Sequence, residues 1–160
     1  MAGTGAPRIS VDATGRSVAI VASSWHRTIM DALVDSAERT CRAAGAEPVL
    51  FRVPGSFELP LGAQAAAEAG FDAVVALGVV IRGGTPHFDF VCEAASDGLT
   101  RVALEQRTPV GFGLLTCDNE EQAIDRSGLP GSREDKGAEA AEAALSLLGT
   151  LDRIDARRQP

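Results

Sequence analysis

The chain has no tyrosine, and its aromatic side chains are one tryptophan and six phenylalanines. It has three cysteines, Cys41, Cys92 and Cys117, none in a C-x-x-C pair, and two histidines, His26 and His87. A zinc site needs clustered thiolate and imidazole ligands, so no metal is expected; the thiols read as inert, buried groups of a reducing compartment. No basic run is longer than Arg157-Arg158 and the formal net charge is −7, which argues against a nucleic-acid footprint. No apolar stretch reaches the roughly 20 residues of a membrane span. The opening MAGTGAPRIS has no apolar signal core, so a cytoplasmic location is expected.

Nucleotide motifs are missing too. No G-x-G-x-x-G follows a strand pattern, and the GFG at Gly111–Gly113 falls inside one and lacks a third glycine, which disfavours a nicotinamide site. A Walker A loop is absent. The strand ends at Ser23 and Arg82 carry no acidic cluster, against a magnesium phosphoacceptor site.

What is present is a soluble globular composition, 45% hydrophobic and 23% charged over 160 residues, enough for one domain over 1–160. Residues 1–12 read as an extended or disordered arm and 155–160 as a frayed tail. SVAIVAS (17–23), EPVLFRV (47–53), DAVVALGVVI (72–81) and PVGFGLLT (109–116) read as strands. Helical spacing of apolar residues predicts a helix from Ile29 to near Gly45 and another over 57–69. A third follows Pro86, with Thr85 as N-cap, Pro86 at the first helical position and His87 at the second. Asp118 and Glu121 read as a capping box opening a short helix to about Ser127, and a final helix spans about 135–153. Strands alternating with helices predict an α/β fold whose parallel sheet is covered on both faces. Ligands in such sheets sit beyond the carboxyl ends of the strands.

Function is therefore sought after each strand. Gly83 and Gly84 allow close backbone approach and unusual φ, and with Thr85 they feed a helix N-terminus, which can hold an anion. A well-capped helix after a tight turn explains the same residues. His87 stands in the first turn, where a bound anion favours imidazolium and the helix dipole opposes it, a balance suited to proton transfer. Asp89, two residues on, does not face it. Trp25, Phe57 and Phe112 lie at or near strand ends; each alone reads as core, together as a wall for a planar ring. Glu58 either complements a helix dipole or accepts hydrogen bonds from a polyol or amine.

ASSWH, PGSFELP, GVVIRGGTPHFDFVC, PVGFGLLT and EQAIDRSG, in this order over about 17–153, resemble the lumazine synthase family. The resemblance implies a flavodoxin-like three-layer sandwich with strand order 2-1-3-4. It implies condensation of 5-amino-6-(D-ribitylamino)uracil with 3,4-dihydroxy-2-butanone 4-phosphate, without metal or redox cofactor. It places the pyrimidine on Trp25, the ribityl chain on Ser56, Phe57 and Glu58, and the ring against Val79, Val80 and Ile81. It assigns the butanone phosphate to Gly83, Gly84, Thr85 and Arg126 and proton transfer to His87, adds Phe112 and Lys136 to the residues that hold the ribitylaminouracil, and brings Phe112, Arg126 and Lys136 from a neighbouring subunit. It implies a homopentamer, with riboflavin synthase as a candidate partner; the loop RSGLPGSREDKG resembles that of free pentamers more than that of 60-subunit shells. Ser56 stands where alanine is common in the family, and Cys117 where threonine is. A non-catalytic flavodoxin-like module binding a flavin or pterin is the other reading, and would not need His87 and Arg126 together.

Overall fold

The computed structural model describes residues 11–158, so the expected arm over 1–12 lies almost wholly outside the described residues. Four strands form one parallel sheet: β1 (Ser17–Ser23), β2 (Glu47–Val53), β3 (Ala73–Ile81) and β4 (Val110–Cys117), in the order β2-β1-β3-β4. The α/β class and the strand order are those expected. Five helices cover it: α1 (Arg27–Ala43), α2 (Leu59–Glu68), α3 (His87–Glu105), α4 (Glu120–Ile124) and α5 (Lys136–Ala156).

Strand alternation sorts the layers. Val18, Ile20 and Ala22 of β1 and Val75, Leu77 and Val79 of β3 face the core shared with α1 and α5. Ala19 and Val21 of β1, with Val74 and Ala76 of β3, face the second core, built with α2 and α3. The two inner strands are thus apolar on both sides, which is why they read as continuous runs. β2 and β4 are the edges, and β2 keeps Val49, Leu50 and Phe51 exposed.

Several element starts differ from expectation, each for a local reason. The second helix opens with a single 3-10 turn at Ser56–Glu58, stabilised by the Gly55 N–H donating to Glu58 Oε2 at 2.9 Å, with Pro60 next in line. Thr85 does not cap α3: Pro86 takes the cap position without a side-chain bond, Asp89 N–H donates to Pro86 O, and His87 becomes the first helical residue. The capping pair of α4 is shifted by one residue. Asn119 Oδ1 accepts the Gln122 N–H and Gln122 Oε1 accepts the Asp118 N–H, both at 2.9 Å. Asp118 is instead drawn to Arg82, whose Nε donates to it at 2.9 Å, and α4 stops at Ile124, short of Ser127. α5 runs to Ala156, into the stretch expected to fray, where Asp155 takes a bidentate pair from Arg107.

Cys41 and Cys117 are buried; burial pushes the Cys41 thiol up to about 11 and raises Cys117. Cys92 is only half-buried, unlike the expectation for all three.

The GFG motif has a packing role. A Cβ at Gly111 would lie 2.1 Å from the Ala140 carbonyl oxygen, and one at Gly113 2.4 Å from Leu77 Cδ2. At the start of α5, a Cβ at Gly137 would lie 2.3 Å from Leu33 O of α1. Helix α5 therefore rests backbone-close on β4 and α1. Substituting Gly111→Ala forces backbone apart and is expected to cost at least about 1–3 kcal/mol. Gly149, inside α5 with open space at its Cβ position, is the control: Gly149→Ala should gain about 0.5–1 kcal/mol. Chemical denaturation of both variants checks the pair; equal midpoints would refute the close-packing account.

Candidate active site

The carboxyl ends of β1 and β3, the turn before α2 and the first turn of α3 enclose a cavity of about 310 Å³. Trp25 follows β1, Ser56, Phe57 and Glu58 come from the 3-10 turn, Val79, Val80 and Ile81 end β3, and His87 opens α3. All eight expected residues line it. Neither Trp25 (68% exposed) nor Phe57 (62%) belongs to the core. The aromatic that does pack inward is Phe88, with the Arg82 guanidinium 4.1 Å from its ring centroid. Arg82 in turn joins Asp89 of α3 to Asp118 beyond β4, so the end of the third strand is tied to both neighbours.

Glu58 stands at the rim, its carboxylate fixed by the Gly55 N–H. A Cβ on Gly55 would come 3.1 Å from Glu58 Oε2 and 3.7 Å from Trp25 Nε1, so glycine lets the turn, the carboxylate and the indole sit together. Ser56 lines the cavity, but its hydroxyl faces Gly78 of β3, is sealed from solvent and has no hydrogen-bond partner. Any polyol contact at Ser56 must then come from its backbone.

Sequence reasoning missed three lining residues, His26, Gly55 and Val91. Val91 lies four residues after His87 on α3, one helical turn on, so the periodicity contained it. His26 holds a left-handed backbone, φ 52° and ψ 58°, where the chain turns from β1 into α1. Such a conformation costs a non-glycine residue about 1–3 kcal/mol and clusters at functional sites. The available signal was one of only two histidines standing directly after the sole tryptophan.

The other expected residues do not reach this cavity within one chain. Phe112, Arg126 and Lys136 line a separate groove of about 540 Å³ along the free edge of β4. Phe112 is 51% exposed there, because Gly111 and Gly113 turn to α5 and leave the residue between them on the opposite face. Arg126 Nη1 donates to Gln122 O at 2.9 Å, and Lys136 Nζ lies 2.6 Å from Glu139 Oε2 and 2.9 Å from Glu134 Oε2. Burial alone would lower the Lys136 pKa, but its contacts with Glu139 and Glu134 outweigh that and raise it. The ammonium stays charged.

Gly83, Gly84 and Thr85 are exposed between β3 and α3 and line neither hollow. Against expectation, neither glycine has a left-handed φ. A Cβ on either would meet nothing within the chain, so the open backbone there serves no internal contact. The chain thus carries two incomplete sets: an aromatic cavity with a histidine and a carboxylate, and a cationic groove on the far edge of the sheet.

A family model described as 6,7-dimethyl-8-ribityllumazine synthase matches residues 15–152. A protein named 6,7-dimethyl-8-ribityllumazine synthase from Leifsonia xyli subsp. xyli is 63% identical over 153 residues, covering 94% of this chain and 97% of its own length. A protein of the same name from Paenarthrobacter aurescens is 61% identical over 158 residues, covering 94% and 98%. Another from Streptomyces coelicolor is 58% identical over 153 residues, covering 94% and 95%.

The exposed indole permits a direct check. Trp25 is the only tryptophan, so a planar ribitylated pyrimidine that fills the cavity should quench its emission and shield it from acrylamide. Unchanged emission at saturation, with saturation established by calorimetry, would remove Trp25 from the site.

Proposed function

The chain belongs to the 6,7-dimethyl-8-ribityllumazine synthase family, and from that premise we propose that it condenses 5-amino-6-(D-ribitylamino)uracil with 3,4-dihydroxy-2-butanone 4-phosphate. The products are 6,7-dimethyl-8-ribityllumazine, phosphate and water, in the penultimate step of riboflavin biosynthesis. The observation that carries this reading is the joint placement of Trp25, Glu58 and His87 around one cavity. A non-catalytic flavin- or pterin-binding module is not favoured by this family membership.

The uracil ring stacks on Trp25 and packs against Val79, Val80 and Ile81, while the ribityl chain lies along the turn 56–58 with Glu58 accepting its hydroxyls. The butanone phosphate sits on the open backbone of Gly83, Gly84 and Thr85. There the first N–H groups of α3 and its dipole favour an anion, and Arg126 supplies the counter-charge. The uracil amine attacks the ketone carbon, and the carbinol loses water to give an imine. A proton then leaves C3 as phosphate departs from C4 with its bonding electrons, the resulting enol tautomerises to a C3 ketone, and the second nitrogen closes the ring on that new carbonyl with loss of water. Each step moves a proton, and His87 at the cavity wall is placed to carry it. No electron passes to an outside acceptor, so the chemistry calls for no redox cofactor. Holding two substrates in contact supplies a large share of the rate, up to about 7–11 kcal/mol in favourable cases.

One half-site lies at the carboxyl ends of the inner strands β1 and β3 and the other along the edge strand β4, so a complete site forms where two chains meet: the cavity of one against Phe112, Arg126 and Lys136 of the next. Exposed Val49, Leu50 and Phe51 on β2, with Phe112 on β4, are apolar surface that such a contact would cover. We read the assembly as a closed homopentamer rather than a 60-subunit shell. The product is the substrate of riboflavin synthase, the candidate downstream partner. Among the described residues no helix is long and apolar enough to cross a membrane, and a cytoplasmic location is part of this proposal.

Two measurements test the reading. With both substrates, lumazine fluorescence should appear, and His87→Ala should lower turnover roughly 10²–10⁴-fold; unchanged turnover with lowered folding stability would make His87 structural. Light scattering after size exclusion should give about 83 kDa for five chains of 16.6 kDa. A megadalton species would point to the shell, and an active monomer would refute the shared site.

A further inference from the structure

The loop between α4 and α5 folds back as a miniature antiparallel pair. Ser127 bridges Asp135, the Lys136 N–H donates to Arg126 O at 3.0 Å, and the Gly128 N–H donates to Glu134 O at 3.1 Å. Side chains alternate across such a pair. Ser127 and Asp135 turn inward, where Asp135 caps α5 and accepts the Ser36 hydroxyl. Arg126, Glu134 and Lys136 fall together on the outer face and line the groove beside β4.

Glu134 lies between the two cations. Its Oε2 is sealed from solvent, 2.9 Å from Lys136 Nζ and 3.9 Å from Arg126 Nε. The Glu134 and Lys136 side chains are each only 16% exposed, so screening by water is weak. Lys136 is the only lysine in a chain with fourteen arginines. Its compact ammonium ends a flexible four-carbon stem, whose position neighbours must impose. Glu139 Oε2 also meets the Lys136 Nζ, at 2.6 Å, so Glu134 is the carboxylate that stands between that ammonium and Arg126; without it Arg126 would hold an anion more tightly. A reaction that releases phosphate needs a groove that draws the phosphate ester in but lets free phosphate go.

We propose that Glu134 is the positioning residue of this groove: its carboxylate, together with Glu139, holds the Lys136 ammonium beside β4, and it moderates the pull of Arg126 on the phosphate group. The inference rests on the condensation reading above, but its first test needs no turnover. Inorganic phosphate is titrated by calorimetry into the assembled wild-type protein and into the Glu134→Gln and Glu134→Asp variants. Removing one like charge a few ångströms from the anion should tighten phosphate binding roughly 5-fold in E134Q, while E134D, which keeps the charge, binds as wild type does. In steady-state assays E134Q should show a lower KM for the butanone phosphate together with a lower kcat, a split that a loss of folding stability would not produce. Phosphate affinity unchanged or weakened in E134Q overturns the proposal. Should E134Q fail to fold, E134D decides alone, and any departure from wild-type phosphate affinity overturns it. A wild-type chain that binds phosphate but makes no lumazine would refute the condensation reading and leave the phosphate comparison to judge Glu134.

Discussion

The structure depends on one close approach. Helix α5 lies against β4 and α1 at backbone distance, because Gly111, Gly113 and Gly137 present no Cβ where one would collide with Ala140, Leu77 and Leu33. Protein interiors transmit such displacements instead of absorbing them. The start of α5 fixes Lys136, the loop before it fixes Arg126 and Glu134, and the glycines on either side of Phe112 send its ring outward. Were α5 to stand off by the width of a methyl group, the cationic groove would lose its geometry although no groove residue had changed.

The other half of the site rests on the ends of two fully buried strands. β1 and β3 are rigid because both faces are packed, so Trp25, His26 and the Val79–Ile81 wall are anchored on the stiffest part of the fold. The loops add the polar groups: Glu58 is held by Gly55, and the turn before His87 is tied through Arg82 to Asp89 and Asp118. An exposed indole and an imidazole are therefore held at one cavity by the fold itself, which suits the proposed condensation, a reaction that would gain much of its rate from proximity. Among the described residues each half occurs once and is open to solvent, which is the physical reason for the proposal that the functional unit is more than one subunit.

The strands and the neighbourhood of His87 were legible in the sequence pattern, while the sheet order came from the family resemblance. Apolar runs bounded by glycine and proline mark buried parallel strands, and the strand ends of such a sheet are where a ligand sits. The details that were misread all involve a choice between near-equivalent local options. Asp118 and Asn119 both satisfy a capping pattern, and Arg82, distant in sequence, removes Asp118 from the contest. Thr85 suits an N-cap, yet the helix begins after Pro86. Ser56 has a hydroxyl suited to a polyol, yet the fold turns it toward Gly78.

The sequence alone determined what periodicity and residue chemistry encode: the α/β class, the buried strands, and the aromatic and histidine candidates, with Arg126 added by the family resemblance. Tertiary structure alone decided which candidates share a surface. Arg126 and Lys136 are ten positions apart and join through a loop pairing that no hydrophobic period signals. Phe112 and His87 both stand near strand ends, yet only His87 shares a cavity with Trp25. That separation arises because β4 is an edge strand, and edge position follows from strand order across the whole sheet, not from the residues of the strand itself.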